Sequence, residues 1–183
     1  MKERSADPRN LNVQALSQDA GQLAGRVALA RMPRLLGSWF GEPASDAVVD
    51  WSAQGLAQSA TGRDPGVWLH VRASLGVTLQ CQRCLQAVSQ LLEVDRHFRF
   101  VHSASEAERL DASVDEDVLE LAPRLDLHQL LEDELILALP LVPRHEGLCP
   151  TPLPLPLDGV PAEAAPPPNP FAALAALRSP RKN

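Results

Sequence analysis

Apolar and polar side chains alternate along several stretches of this chain, the pattern of strands with one face buried. In residues 47–56, Val49, Trp51 and Ala53 share one side, with Asp50 and Ser52 on the other. In residues 67–80, Val67, Leu69 and Val71 alternate with Trp68, His70 and Arg72, and Gly76 offers a place to bend. The turn-forming run Thr-Gly-Arg-Asp-Pro-Gly at 61–66 closes a hairpin between these two strands. In residues 92–100, Leu92, Val94, Phe98 and Phe100 oppose Glu93, Asp95, His97 and Arg99. Arg96 falls on the apolar side and marks a sheet edge. Residues 21–30 read as a further strand interrupted at Gly25, 31–40 as a short helix with Pro33 in its first turn, and 118–121 as a short edge strand. The acidic stretch 104–117 reads as an exposed loop or a single helical turn.

The period changes after Asp126. Leu127, Leu130, Leu131, Leu135, Ala138 and Leu139 recur at helical spacing, Asp126 and Gln129 stand at capping-box separation, and Pro140 and Pro143 stop the helix. The fold class expected is α+β: an antiparallel sheet, open or barrel-like, with one main helix packed on it. Residues 1–10 are polar and expected to be loose, and 11–149 form the domain. Nine prolines in residues 150–170 make a stiff linker. Within 171–183, Asn169 and Pro170 lead into a short helix with Phe171, Leu174 and Leu177 along one side, followed by a basic end. That helix is too short to be stable alone and is expected to dock on its own domain or on a partner.

Charge changes the picture of partners. The chain of 183 residues carries net −6, distributed as +3 over residues 1–40, −1 over 41–102 and −8 over 103–183. Attraction of the whole molecule to phosphate is excluded, so contact with nucleic acid requires a local basic face such as Arg26, Arg31 and Arg34. Three cysteines are too few, and odd in number, for a disulfide framework, which fits a reduced compartment. The start has no apolar signal-like core, and no apolar run is long enough to cross a bilayer. The expectation is a soluble, cytoplasmic protein with no membrane or DNA partner.

The candidate chemistry lies in two remote segments. Cys81 and Cys84 are two residues apart within the strand-end run Gln-Cys-Gln-Arg-Cys, and His145 and Cys149 follow the helix-stopping prolines. Three sulfurs and an imidazole form a sufficient ligand set for structural zinc, and each spacing lets both of its donors face one ion. Two other readings stay open: reduced thiols packed as small apolar residues, and a dithiol in which Gln82 and Arg83 tune Cys81. Four protein donors would leave zinc no open position. No nucleophile elbow or phosphate-cradling glycine loop is present, so catalysis is not expected. By spacing alone Glu132, Asp133 and Glu134 form either a binding patch or a solvated helix face, and His70, His97, His102 and His128 are scattered surface or sheet histidines.

These residues resemble the YceD family, bacterial proteins named for large ribosomal RNA subunit accumulation. The likeness rests on Cys-Gln-Arg-Cys-Leu at 81–85, on Leu-Leu-Glu-Asp-Glu-Leu-Ile-Leu-Ala-Leu-Pro-Leu-Val-Pro-Arg-His from Leu130, on residues 22–35 and 92–101, and on the tail Asn-Pro-Phe-Ala-Ala-Leu-Ala-Ala-Leu. Ala24 stands where the family usually has an acidic residue. The resemblance implies a role in accumulation or processing of 23S ribosomal RNA, through large-subunit RNA, ribosomal proteins or both, without catalysis. The alternatives are an RNA-processing or RNA-modifying enzyme and an adaptor that binds a ribosomal protein only. It places Cys81, Arg83, Cys84, Glu132, Asp133, Glu134, Pro140, Pro143, His145 and Cys149 at motif positions. The acidic trio then either faces a basic ribosomal partner or holds an arginine such as Arg83.

Overall fold

A computed structural model describes residues 7–58, 65–114 and 116–151. Five strands form one open sheet in sequence order: β1 (Gln22–Ala28), β2 (Val48–Gln58), β3 (Pro65–Gln80), β4 (Ala87–Val101) and β5 (Asp117–Glu120). The first four are antiparallel neighbours. The sheet is not barrel-like, because its end strands β1 and β5 do not pair. Its last pairing also departs from expectation: β5 runs parallel to β4, against Phe98–Val101 only. A parallel neighbour needs a crossover, which helix α3 supplies (Ala104–Asp111), capped by Ser103 accepting from the Glu106 N–H. The first part of the acidic stretch is thus two turns of helix, Ala104–Asp111, with no fully buried residue, rather than a loop or a single turn.

β3 and β4, 16 and 15 residues long, make a hairpin that stays in register from Val67 opposite Phe100 to Gln80 opposite Ala87. β3 runs through Gly76 and pairs it with Leu91. Because side chains alternate, the register puts Leu69, Val71, Ala73, Leu75, Val77 and Leu79 on one face with Val88, Leu92, Val94, Phe98 and Phe100. Onto this face pack the helices α1 (Val13–Gln18), α2 (Pro33–Leu36) and α4 (Leu127–Leu137), which bury Val13, Leu35, Leu127, Leu131 and Leu135. Burial of each leucine contributes about 2 kcal/mol. Trp68, on the polar side of β3, is nevertheless buried, with Arg99 over its ring at 5.6 Å.

Local signals account for the helix starts. Asn12 accepts from the Ala15 N–H at 2.9 Å and Asp126 from the Gln129 N–H at 3.1 Å, each filling an orphan donor. Leu11 and Leu125 exchange two backbone hydrogen bonds of 2.9 Å, tying the chain start to the start of α4. Residues 8–10, expected to be loose, form a 3-10 turn capped by Asp7. α1 lies so close to β2 that a Cβ on Gly55 would sit 2.3 Å from the Leu16 carbonyl carbon. The 61–66 turn, the proline linker and the terminal segment with Phe171, Leu174 and Leu177 lie wholly or mostly outside the described residues.

Candidate metal centre

The Cys81–Cys84 pair forms the turn of the long β3–β4 hairpin. The Cys81 N–H donates to the Gln86 carbonyl and the Leu85 N–H to the Cys81 carbonyl, closing a six-residue loop. Leu85 adopts a left-handed conformation at φ 61°, which a leucine takes only when its surroundings impose it. The second segment leaves the end of α4 and passes across this tip. The Gln82 N–H donates to the Pro143 carbonyl at 2.8 Å, and Gly147, at φ 71°, supplies the turn between His145 and Cys149.

All four candidate donors meet. The Cys81 and Cys149 sulfurs are 3.9 Å apart, Cys84 Sγ is 3.6 Å from His145 Nδ1, and every pair of donor atoms lies within 4.8 Å. A tetrahedron with zinc–sulfur bonds of about 2.3 Å has sulfur–sulfur edges of about 3.8 Å, so the donor set fits a tetrahedral ion with little adjustment. Cys81 and Cys84 are buried. The imidazole is oriented for the task. His145 Nε2 donates to the Ala87 carbonyl at 3.0 Å, which leaves the Nδ1 lone pair facing the sulfurs.

Charge reinforces this arrangement. Arg83 donates from Nε to Cys149 Sγ at 2.9 Å and from its terminal nitrogen to the carbonyls of His145 and Gly147, so one side chain organises the whole second segment. Burial pushes the Cys81 thiol up. The backbone N–H groups of Arg83 and Cys84, with the bonds to His145, outweigh that and bring it down to about 5. Burial pushes the Cys84 thiol up instead, and the neighbouring Cys149 and Cys81 sulfurs add to it. The thiolate that this favours at Cys81 is the donor form that a divalent ion requires.

The acidic trio goes elsewhere. Its arginine is Arg34 rather than Arg83. Glu132, 5% exposed, accepts from the Arg34 and Leu35 N–H groups at 2.7 and 3.1 Å and from the Arg34 guanidinium. It therefore caps α2, whose own N-cap residue, Met32, makes no side-chain cap. Asp133 also receives Arg34, and Glu134 faces Arg96 at 3.6 Å. Burial raises the Glu134 carboxyl above its ordinary value. Arg96 does lie at an edge, since β5 covers only the far end of β4. Of the arginines expected to offer a basic face, Arg26 pairs with Asp50, whereas Arg31 joins Arg9 and His128 around a cleft of about 250 Å³.

Beside the cysteine cluster, a groove of about 700 Å³ runs between the open edge of β4 and the segment after α4, with Leu91, Pro140, His145 and Leu148 in its lining. No helix among the described residues is long and apolar enough to cross a membrane.

Comparison with known proteins places these features in one family. The family model described as "Large ribosomal RNA subunit accumulation protein YceD" matches residues 69–178, more than half of the chain, and takes in most of the hairpin, the cysteine cluster and α4. A Haemophilus influenzae protein with the same name is 38% identical over 109 residues, covering 58% of this chain and 63% of that protein. The aligned part thus spans somewhat less than two thirds of that relative. No solved structure matches. The chain belongs to the YceD family of large ribosomal RNA subunit accumulation proteins.

Proposed function

We propose that this protein is a non-enzymatic, cytoplasmic factor that promotes accumulation of 23S ribosomal RNA during assembly of the large subunit, acting through contacts with that RNA, with ribosomal proteins or with both. The observation that carries the reading is the family match over residues 69–178, which spans all four cysteine-cluster donors and the helix that positions two of them. A structural zinc ion held by Cys81, Cys84, His145 and Cys149 fits the role. Four protein donors complete its coordination, so it would clamp the hairpin tip to the segment after α4 rather than activate a water. Arg83 is its supporting residue. Glu132 and Asp133 serve by fixing α2 against α4, and Glu134 by holding Arg96. The segment bearing Phe171, Leu174 and Leu177 is the docking element for a partner, its local concentration set by the proline linker.

An adaptor that touches only a ribosomal protein is favoured by one observation, the net −8 of residues 103–183. Ultraviolet crosslinking in cells, scored for RNA and for protein, separates the two. The RNA-contact reading expects 23S fragments whose recovery falls steeply with salt. The adaptor reading expects protein crosslinks alone. Deletion of the gene should lower 23S relative to 16S RNA, and an unchanged ratio would sink both.

A further inference from the structure

The open face of the sheet carries a second cluster that resembles a ligand set. Counting outward from the Cys81–Gln86 turn, the hairpin register sets His70 directly opposite His97 and Arg72 opposite Asp95. Side chains directly opposite in an antiparallel pair, and those one diagonal step away, are within reach of one another. The two imidazoles stack at 4.0 Å with planes 9° apart. His70 Nε2 lies 2.6 Å from Asp95 Oδ1, and one donor atom from each of His70, Asp95 and His97 falls within 4.8 Å of the others.

We infer that His70, Asp95 and His97 form a second, solvent-open binding site for a divalent transition-metal ion. Two imidazoles and one carboxylate suit zinc, cobalt or nickel and not magnesium or calcium, which demand oxygen donors. Donors around a tetrahedral ion with bonds near 2.05 Å stand about 3.4 Å apart, so the 2.6 Å His70–Asp95 contact must open, the remaining separations, all within 4.8 Å, need only adjust, and the stacked rings must turn out of parallel to face one ion, changes within reach of side-chain rotation. The other oxygen of Asp95 is already held by Arg72 Nε at 3.0 Å, which fixes the carboxylate while leaving Oδ1 to the ion. Binding takes His70 as the tautomer protonated on Nδ1, which gives up the Nε2–H bond to Asp95 and turns the Nε2 lone pair to the ion. Three protein donors leave at least one coordination position, and the exposure of Asp95 opens it to water or to an oxygen of an incoming ligand.

The two clusters are independent. Ten residues of β3 separate His70 from Cys81, roughly 35 Å of extended chain. Their chemistry also differs, since only one contains sulfur. The site does not depend on the ribosomal reading, and failure of either leaves the other standing.

Cobalt(II) titration of the full chain tests the inference. The expected result is two cobalt ions per chain. The first shows thiolate-to-cobalt charge-transfer bands. The second adds only weak ligand-field bands of nitrogen and oxygen coordination. His97→Ala and Asp95→Asn should each abolish the second ion and keep the first, whose sulfur bands and unchanged melting report an intact fold. Saturation of the unmodified chain at the sulfur site alone would overturn the inference. So would a second ion that persists in His97→Ala.

Discussion

Glu132, on α4, closes the N-terminus of α2 by accepting the backbone N–H groups of Arg34 and Leu35, residues 98 and 97 positions earlier in the chain. A four-residue helix has no stability of its own. Pro33 has no N–H, and the Met32 and Leu36 N–H groups reach backbone carbonyls, so the orphan donors of its first turn are those of Arg34 and Leu35, and a buried carboxylate accepts from both. Glu132→Ala should therefore destabilise the fold by about 2–3 kcal/mol in denaturant unfolding. Asp133→Asn, which alters a half-exposed contact to the same arginine, should change stability by less than about 1 kcal/mol. Equal effects would mean that Glu132 acts only as a surface charge.

Two glycines in neighbouring strands should respond in opposite ways. Gly55→Ala drives a methyl group into the Leu16–Ser17 backbone of α1 and should destabilise by about 3 kcal/mol. At Gly76 no atom of the described residues would lie within 4 Å of an added Cβ, so Gly76→Ala should be neutral or slightly stabilising. Equilibrium unfolding of the two variants checks both.

Stability should fall as pH drops below about 6.5 in a way that depends on His128. Burial pushes this imidazole below its ordinary value, Nδ1 has no hydrogen-bond partner among the described residues, and the ring meets Trp51 edge-on at 5.8 Å. A histidine with a folded-state pKa below its unfolded value binds fewer protons when folded. Its contribution is complete above the unfolded pKa and is lost as pH falls toward the folded one. His128→Gln should flatten that part of the stability–pH curve, with the rest of the slope falling to His97 and the carboxylates. An unaltered slope would remove His128 from the explanation.

Arg83 offers a test of the support around the cysteine cluster. Arg83→Met keeps the stem but deletes the donors to Cys149 Sγ and to the His145 and Gly147 carbonyls. Zinc affinity measured by competition with a chelator should fall about 10–100-fold. An unchanged affinity would reduce Arg83 to a surface residue.

Much of this molecule was legible in the chain, for identifiable reasons. Strands with one buried face announce themselves by period-two alternation, and α4 by its Asp126 cap and leucine spacing. What escaped depended on distance in sequence. Nothing local joins Arg34 to Glu132, so Arg83 was the nearer guess. β5 reads as a strand but not as a parallel one, because direction follows from the α3 crossover. α1 is six residues long with two buried positions, Val13 and Ser17, too few for a period. The Cys81–Gln86 loop lacks the glycine or asparagine that marks most tight hairpins; Leu85 takes the left-handed conformation instead. Once that turn is known, its register brings His70, Asp95 and His97 together, although they look scattered in the sequence.

The central claim is that two segments about sixty residues apart share one sulfur-rich zinc ion that clamps the hairpin tip to the segment after α4. X-ray absorption at the zinc edge, on His97→Ala protein purified without chelator so that only the sulfur-rich cluster can hold an ion, measures this directly. The account predicts about three sulfur scatterers near 2.3 Å and one nitrogen near 2.0 Å, with Cys149→Ser losing the ion and melting at lower temperature. Protein that carries no zinc, or zinc surrounded only by nitrogen and oxygen, would contradict it.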